Sequence, residues 1–276
     1  MPEQETNQEA AIARARSFLF VPGDRADRFD KAAASGADIV ILDLEDAVPA
    51  ERKDRARNLV KQWLDRGGRA LVRLNGADTR WFGDDSQLCA HASLIGAMLP
   101  KTEPGEALER IAGTCPTIAL VETARALRRL DPIASTPGVV RLAFGSVDLA
   151  LDLGFTGSDE ALDPIRLELV AASRAANIAP PIGGVTIDFR DPARIFSDTR
   201  REAALGFTAK LCIHPAQVEP IHEALRPEPS LLEQARRIVA LFEAAGGAAA
   251  AFEGKMIDKP VVESARRLLA SAGLKS

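Results

Sequence analysis

Short apolar segments alternate with longer amphipathic segments along most of this chain. The apolar segments are short enough for buried strands, and most are followed by a stretch whose apolar positions recur at helical spacing. The predicted strands are Phe18–Val21, Ile39–Leu42, Ala70–Leu74, Ala97–Leu99, Thr117–Val121, Arg141–Phe144, Ile182–Val185 and Lys210–Ile213. The predicted helices are Ala26–Ser35, Ala50–Leu64, Pro104–Ala112, Ala124–Ala134, Pro164–Ala176 and Arg190–Leu205. This alternation indicates a parallel sheet, because a helix-length connection separates each strand from the next.

The number of strands favours a closed barrel over an open sheet. Eight strands fit within about 200 residues, which matches a (β/α)₈ TIM barrel of the α/β class. The first strand runs into Pro22, Gly23 and Asp24, so it is followed neither by the glycine-rich turn of a dinucleotide-binding sheet nor by a P-loop. The predicted fold is therefore one (β/α)₈ barrel with additional segments at both ends.

Three regions are predicted along the chain. Residues 1–15 are polar with a short Ala/Arg stretch, and we interpret them as an N-terminal tail or a covering helix. Residues 16–228 form the barrel, and residues 229–276 form a C-terminal helical extension. The extension is short for a domain with its own core, so it is either a buttress of the barrel or a lid over an active site.

Two helices are predicted in this extension. The first covers Ser230–Ala245, with Ser230 as its N-terminal cap and Gly246–Gly247 at its end. A short segment, Phe252–Lys259, follows an alanine-rich stretch and leads to a final amphipathic helix, Pro260–Ala272.

Composition narrows the function classes. The chain has 276 residues, of which 46% are hydrophobic, so it has the material for a sizeable core. Its net charge is −4 and its charges are spread along the chain, which gives no basic footprint for nucleic acid. No apolar run approaches the length of a membrane span, and Glu3, Glu5 and Glu9 do not suit a signal peptide, so we expect a cytoplasmic protein. Three well-separated cysteines indicate neither a disulfide framework nor a zinc cluster.

Polar residues follow the predicted strands at the rim where barrel enzymes carry their chemistry. The rim positions are Asp43, Glu45, Asp46, Arg73, Asn75, Lys101, Glu122, Gly145, Ser146, Val147, Asp148, Asp188 and His214. Gly145 and Val147 are the two members of this set without a polar side chain. Charges at the ends of apolar strands are costly to bury unless they are paired or bound to metal. One of them alone is explained equally well by a structural salt bridge, but charged or polar groups at seven strand ends indicate a site.

Within this set, two carboxylates suggest a metal and one arginine suggests an anionic ligand. Glu122 and Asp148 stand apart from any cysteine or histidine cluster, and such oxygen donors suit Mg²⁺. Arg73 offers a planar fork for a substrate carboxylate. Of the three histidines, His214 is either structural or a hydrogen-bonding group of the rim, and the other two, His91 and His222, are interpreted as surface residues.

The motifs of this chain resemble those of the citrate lyase beta-subunit-like family within the HpcH/HpaI aldolase group, which is similar to citryl-CoA and malyl-CoA lyases. The resemblance runs in order from about Arg16 to Ala272. The motifs that carry it are Arg16–Arg25, Gly36–Val48, Val72–Thr79, Leu99–Glu103, Ala119–Leu127, Leu142–Gly154, Gly206–Val218 and Gly254–Pro260.

The resemblance implies roles for particular residues. Arg73 and Glu122 match positions that hold the oxo- or hydroxy-acid, and the run Gly145–Val147, which includes Ser146, matches further substrate contacts. Glu122 and Asp148 match Mg²⁺ ligands. Asp258 resembles the acid/base carboxylate of malyl-CoA-type lyases, where this segment covers the site of a neighbouring subunit in a trimer or hexamer. The alternative is that Asp258 only caps the final helix.

We therefore predict a Mg²⁺-dependent carbon–carbon lyase that cleaves or forms 3-hydroxyacyl-CoA thioesters of the malyl-, citramalyl- or citryl-CoA type. In the expected retro-Claisen cleavage, Arg73 clamps the substrate carboxylate and Asp258 protonates the thioester enolate. The supporting residues around the metal and Arg73 are predicted to be Asp43, Glu45, Asp46 and Lys101.

Two other activities use the same site. One is a malyl-CoA thioesterase, in which water attacks the thioester carbonyl, and the other is an aldolase acting on free 4-hydroxy-2-oxo acids. A binding protein without activity is disfavoured, because no expected site position is lost. One departure from the family pattern concerns the acyl carrier: Ala209 stands where glycine is usual, and its methyl group is expected to narrow the channel for the thioester arm.

Overall fold

The computed structural model describes residues 2–252 and 255–272. The chain divides into two compact units, Met1–Leu225 and Arg226–Ser276. Among the sequence predictions, Gly254, the first residue of the last family motif, and residues 273–276 of the predicted extension lie outside the described residues.

Eight parallel strands of the first unit form a closed barrel in sequence order, and β8 pairs with β1 to close it. The strands are β1 (Ser17–Pro22), β2 (Ile39–Asp43), β3 (Ala70–Arg73), β4 (Leu94–Leu99), β5 (Thr117–Val121), β6 (Val139–Phe144), β7 (Ala179–Gly183) and β8 (Ala209–Cys212). The predicted (β/α)₈ barrel is confirmed.

Helices surround the barrel and one covers its bottom. They are α1 (Pro2–Arg14), α2 (Phe29–Ala33), α3 (Lys53–Asp65), α4 (Phe82–Asp85), α5 (Glu106–Ala112), α6 (Ala124–Leu127), α7 (Leu130–Ala134), α8 (Ser146–Asp152), α9 (Asp163–Ala175), α10 (Pro192–Leu205) and α11 (Val218–Ala224). Short 3₁₀ turns occupy Ala26–Arg28, Ala50–Arg52, Ser86–Ala90, Asp159–Leu162 and Pro215–Gln217.

Alternation along the strands divides the apolar side chains between two clusters. Inward-facing residues such as Phe18, Ile41 and Leu120 fill the barrel. Neighbouring residues on the same strands, for example Leu19 and Leu42, pack outward against the helices. Strands buried on both faces explain why their sequences are continuous apolar runs rather than alternating patterns. Most of the polar side chains that reach the barrel mouth therefore lie at or just after the strand ends.

Arg141 fixes α1 across the N-terminal end of the barrel. Its guanidinium is fully buried and donates to the carbonyl oxygens of Ile12 and Ala15 at 2.9 Å, at the end of α1. It also donates to the carbonyl of Pro180 and to the hydroxyl of Thr208. A cation at a helix C-terminus satisfies carbonyl groups that have no partner within the helix. Residues 2–14 thus form a covering helix.

Replacing Arg141 with Leu is expected to lower the stability of the barrel by about 3 kcal/mol, since buried carbonyl groups lose their donors. For a chain of this size, the melting temperature should fall by about 6–10 °C in thermal unfolding followed by circular dichroism. Arg125→Leu is the matched control, because its side chain is 70% exposed. A fall no larger than that of the control would show that the docking of α1 across the barrel bottom does not depend on Arg141.

Several element boundaries differ from the sequence prediction. The helix predicted over residues 124–134 is two short helices, α6 and α7, because Pro132 has no N–H to continue the hydrogen-bond ladder. The helix predicted over residues 26–35 begins as a 3₁₀ turn. Strands β4 and β6 start at Leu94 and Val139, earlier than predicted, where apolar residues reach the barrel bottom.

The second unit packs two helices and a hairpin around a small core. Its elements are α12 (Pro229–Ala244), β9 (Ala250–Phe252), β10 (Lys255–Ile257) and α13 (Lys259–Ser271). Val239, Ile257 and Val262 belong to its apolar cluster, so the extension has a core of its own, contrary to the prediction. The predicted serine cap is also wrong, because Ser230 lies inside the first turn of α12. In the described part of the chain, no helix combines the length and apolar character required to cross a bilayer.

Candidate active site

A cavity of about 330 Å³ opens at the C-terminal ends of the barrel strands. Its acidic lining comes from β2, β5 and the start of α8, its basic lining from β3, and its apolar lining from β1, β5, β6 and β8. The described residues lining it are Phe20, Pro22, Asp43, Asp46, Ala47, Arg73, Leu120, Glu122, Phe144, Gly145, Ser146, Val147, Asp148, Val185, Leu211 and Ile213. Most of the predicted site residues therefore meet in one cavity.

A larger cavity of about 560 Å³ adjoins the first and shares Ser146, Val147 and Val185 with it. Its buried charges are paired, because Glu202 contacts both Arg166 and Lys210, and Arg166 also pairs with Asp159. This cluster ties α9, α10 and β8 together. The smaller cavity, which collects the predicted site residues, is the better candidate for chemistry.

Glu122 directly follows β5 and is 2% exposed. Its Oε1 accepts a hydrogen bond of 2.7 Å from the backbone N–H of Lys101. Burial raises the pKa of Glu122 to about 8, and the negative charges of Glu45 and Asp148 act in the same direction. A buried carboxylate with acidic neighbours is a group that a cation would stabilise in its ionised form.

Asp148 lies in the first turn of α8, three residues after Gly145. Gly145 leaves room for Glu122, since a Cβ atom built on it would lie 2.4 Å from the Cβ of Glu122 and 2.9 Å from Oε2. Glu122 and Asp148 therefore approach each other across a glycine.

The donors in this cavity fit Mg²⁺. Glu122 and Asp148 offer carboxylate oxygens, and Mg²⁺ usually combines one or two such ligands with water and substrate oxygens. In the described ranges, residues 2–252 and 255–272, no group of three or more acidic, histidine or cysteine side chains is arranged to hold a metal.

Arg73, at the end of β3, is held by two carboxylates, one at the end of β2 and one in the loop that follows it. Its Nε and Nη2 each donate to Asp43 at 2.7 Å, and its Nη1 lies 3.0 Å from Oε2 of Glu45. The contact between Nη1 and Glu45 is an ion pair without hydrogen-bond geometry, because no N–H group is aligned with Oε2 of Glu45. Burial would lower the pKa of Arg73, but Asp43 and Glu45 outweigh it and hold the pKa above its ordinary value.

The bidentate edge of Arg73 is thus occupied by Asp43 rather than open to a ligand. A guanidinium has five N–H donors, so three remain after the two aligned bonds to Asp43. Arg73 also stacks over the ring of Phe20, with 4.8 Å from its central carbon to the ring centroid. These contacts fix the guanidinium in the cavity wall, with N–H groups to spare.

The four residues predicted to support the site occupy different positions around it. Asp43 and Glu45 hold Arg73, and Asp46 lines the cavity. Lys101 is half exposed, and its Nζ lies 2.5 Å from Oε1 of Glu45. Burial raises the pKa of Glu45, opposed by the charges of Arg73 and Lys101.

Other candidates lie outside this cavity. Asp188 is exposed and lines the larger cavity, where it accepts from the N–H of Arg190. His214 caps the turn after β8 by accepting from the N–H of Ala216, and its ring stacks on Phe189, which favours its structural interpretation. Asp258 lies in the second unit at the start of α13, where it accepts from the N–H of Val261 at 3.3 Å.

Three predictions of lesser weight are wrong. His91 and His222 are not free surface residues, since each is largely buried and bonded, to Asp65 and to Ser17 respectively. Ala209 does not line the cavity: it packs inside the barrel at the start of β8, so its methyl group does not narrow the mouth.

Sequence reasoning missed Lys53 and the apolar walls. Lys53, on α3, donates to the carbonyl oxygens of Leu44 and Glu45 at 2.9 Å and so fixes the acidic loop after β2. Its position in a charged helix gave no signal of burial. Phe20 was detectable, because it stands near the end of the first strand, but an apolar residue there is indistinguishable from core in sequence.

Comparison with known proteins adds to this geometry. Residues 16–215 match the family described as HpcH/HpaI aldolase/citrate lyase. A citrate lyase subunit beta-like protein of Mycobacterium tuberculosis is 37% identical over 264 residues, which cover 93% of this chain and 95% of that protein. A (3S)-malyl-CoA thioesterase of Cereibacter sphaeroides is 34% identical over 273 residues, with 93% and 94% covered.

A lyase and a solved structure are also similar. The L-malyl-CoA/beta-methylmalyl-CoA lyase of Cereibacter sphaeroides is 31% identical over 300 residues, with 93% of this chain and 94% of that protein covered. The protein CitE of Mycobacterium tuberculosis, in complex with magnesium, acetoacetate and coenzyme A, superposes with a TM-score of 0.81 at 34% identity, over 94% of this chain and 98% of that one. The prediction of magnesium as cofactor agrees with the ligand of that structure.

Proposed function

Because the chain belongs to the HpcH/HpaI aldolase/citrate lyase family, we propose that it is a Mg²⁺-dependent lyase of 3-hydroxyacyl-CoA thioesters of the malyl-, citramalyl- or citryl-CoA type. The resemblance seen in its motifs, and with it the enzyme class, is confirmed. The observation that carries the proposal is Glu122, whose pKa is raised by burial and by its acidic neighbours, in one cavity with the anchored Arg73. The CoA thioester follows from the malyl-CoA relatives and from the coenzyme A of the related structure.

Glu122 and Asp148 are the residues that would hold Mg²⁺. When bound, the ion lowers the pKa of the substrate hydroxyl and stabilises negative charge on its oxygen. The side chains of the cavity bind the substrate and exclude water. The free N–H groups of Arg73 bind the carboxylate of the substrate, while Phe20 and Leu120 exclude water from the reacting carbons.

Asp258 is the proposed proton donor. As the hydroxyl proton passes to water, the bond between the carbinol carbon and the carbon next to the thioester breaks, which leaves an oxo-acid and a thioester enolate. The protonated carboxyl group of Asp258 gives its proton to the enolate carbon and regains one from solvent. We propose that this carboxylate acts on the barrel of a neighbouring subunit in a trimer or hexamer. Its place between a hairpin and α13, in a separate unit, supports a mobile segment that orders when substrate binds.

The charge of the cavity favours an oxo-acid with a single carboxylate. Among the described residues that line it, Arg73 alone is basic, and two of its donors already serve Asp43. Malyl and citramalyl thioesters release oxo-acids with one carboxylate. A citryl thioester releases one with two, and the second would meet apolar or acidic walls without a cation.

The test is an assay of purified protein with Mg²⁺ against malyl-, citramalyl- and citryl-CoA. We expect release of the oxo-acid, with kcat/KM at least about tenfold lower for the citryl compound, which corresponds to one unpaired polar group. Cleavage of a free 4-hydroxy-2-oxo acid without any activity on the thioesters would contradict the proposal, as would full activity in EDTA.

A thioesterase is the second candidate, favoured by the 34% identity to (3S)-malyl-CoA thioesterase. The same cavity would then admit water to the thioester carbonyl. Product analysis separates the two activities, since hydrolysis of malyl-CoA releases malate and free CoA, whereas cleavage releases glyoxylate and acetyl-CoA.

Gly145→Ala is expected to lower kcat/KM for the preferred thioester by about 100-fold or more, because the new methyl group would displace Glu122 from its position. The barrel should remain folded by circular dichroism. Gly83→Ala is the matched control, since nothing lies within 4 Å of a Cβ atom built there. Equal activity of the two variants would show that the orientation of Glu122 does not matter.

A further inference from the structure

Lys101 has a backbone conformation that lysine rarely adopts. Its φ is +46°, and within the described ranges the one other non-glycine residue with positive φ is Asn177. The left-handed conformation is disfavoured for residues that carry a Cβ atom, except where a short polar side chain such as that of asparagine bonds locally. Lysine has no such compensation, so the surroundings of Lys101 must hold it in place.

Two contacts of Lys101 lead to the centre of the cavity. Its backbone N–H donates to Oε1 of Glu122 at 2.7 Å, and its Nζ lies 2.5 Å from Oε1 of Glu45. The first contact is made by the amide of the left-handed residue itself, which points to the side chain that follows β5. The side chain is 46% exposed, so its ion pair is the weaker of the two contacts.

On the other side, Glu122 is confined by Gly145. The space that a Cβ atom would take there lies 2.9 Å from Oε2. The carboxylate is therefore fixed in rotation: Oε1 is directed to the Lys101 amide and Oε2 to the start of α8, where Asp148 lies.

We propose that Lys101 is a positioning residue that acts through its backbone: its left-handed amide occupies Oε1 of Glu122 and leaves Oε2 as the oxygen that meets the metal. The inference rests on the proposed function, since it concerns the Mg²⁺ site of that proposal. It assigns the role to the backbone conformation and not to the positive charge of the side chain.

Substitutions at Lys101 separate backbone from charge. Lys101→Gly removes the charge and adopts positive φ without cost, whereas Lys101→Val removes the charge and strongly resists this conformation. Lys101→Arg keeps the positive charge and has the same conformational free-energy cost at positive φ as the native lysine. Lys101→Ala removes the charge and keeps the Cβ atom of the native residue, so it separates the two roles if the valine variant does not fold. Asn177→Gly and Asn177→Val are the matched controls, at the other positive-φ position, on the loop that enters β7 at the opposite end of the barrel.

The readout is the dissociation constant for Mg²⁺ alone, measured by isothermal titration calorimetry on metal-free protein whose fold is checked by circular dichroism. We expect Lys101→Gly, Lys101→Arg and Lys101→Ala to bind within about threefold of the native protein, and Lys101→Val to bind about tenfold or more weakly, as the cost of the left-handed conformation implies. Both Asn177 variants should bind as the native protein does.

Two results would overturn the inference while leaving the proposed function intact. One is equal weakening by Gly and Val with rescue by Arg, which would assign the role to the charge. The other is equal binding by every Lys101 variant. If the native protein itself binds no Mg²⁺, the proposed function fails first, and the inference falls with it.

Discussion

Glu122→Gln is expected to abolish cleavage of the preferred thioester, with kcat/KM lower by about 10³-fold or more, because the amide removes the charge that the metal requires. The thermal stability of the folded protein should not decrease. Glu122 is buried among acidic groups that raise its pKa to about 8, so the neutral glutamine relieves a cost. We therefore expect an unchanged or higher melting temperature together with lost activity, in parallel thermal unfolding and product assays.

Glu103→Gln is the control for this substitution. It lies on the loop after β4, the strand that pairs with β5, but its side chain is 40% exposed and pairs with Arg125 at the surface. It should retain nearly full activity. A Glu122→Gln protein that cleaves thioester at more than about a tenth of the native rate would remove this carboxylate from the proposed metal site, because such a loss is close to 1.4 kcal/mol.

Asp258→Asn is expected to be folded and inactive in cleavage. Asparagine caps helices about as well as aspartate, so the N-terminus of α13 keeps its bond to Val261 while the acid is lost. A melting temperature within about 2 °C of the native value should accompany a kcat lower by about 10²-fold or more, as for other general acids. Asp258→Ala removes both cap and acid, so it measures the structural contribution. Nearly full activity of Asp258→Asn would show that the residue only caps the helix.

Mixing the two inactive proteins tests the sharing of sites between subunits. Oligomers assembled from equal amounts of Asp258→Asn and Glu122→Gln chains contain some sites with both residues intact. If Asp258 acts on a neighbour, about a quarter of the native activity should return, since half of the barrels and half of the lids are intact and meet at random. No recovery after verified subunit exchange would place Asp258 at the site of its own chain.

The barrel and the composition of its mouth were predictable for a shared reason. Strands buried on both faces must be continuous apolar runs, so a charge such as Glu122 at the end of one is conspicuous. The parallel topology then brings all such charges to one rim. Asp43, Arg73 and Glu122 could therefore be placed near one another from sequence.

What remained hidden depends on conformations that the residue types do not reveal. Lysine is a poor candidate for positive φ, so the turn at Lys101 left no trace in the sequence. The fork of Arg73 was expected to face a substrate, but Asp43 satisfies it, because a buried guanidinium without a fixed partner would be costly. The small core of the second unit was underestimated, since its hairpin lies in a segment rich in alanine that resembles neither strand nor helix.

The covering of the barrel bottom by α1 has a consequence for biosynthesis. Helix α1 leaves the ribosome before every strand of the barrel, yet a carbonyl oxygen at its end is bound by a guanidinium 129 residues later in the chain. At usual elongation rates of about 5–20 residues per second, roughly 6–26 s pass between the synthesis of Ile12 and that of Arg141. Until then the nascent helix has no place to dock, and Ile12 stays exposed to chaperones that bind apolar nascent chains. An element translated before the barrel strands is thus among the last to reach its final position.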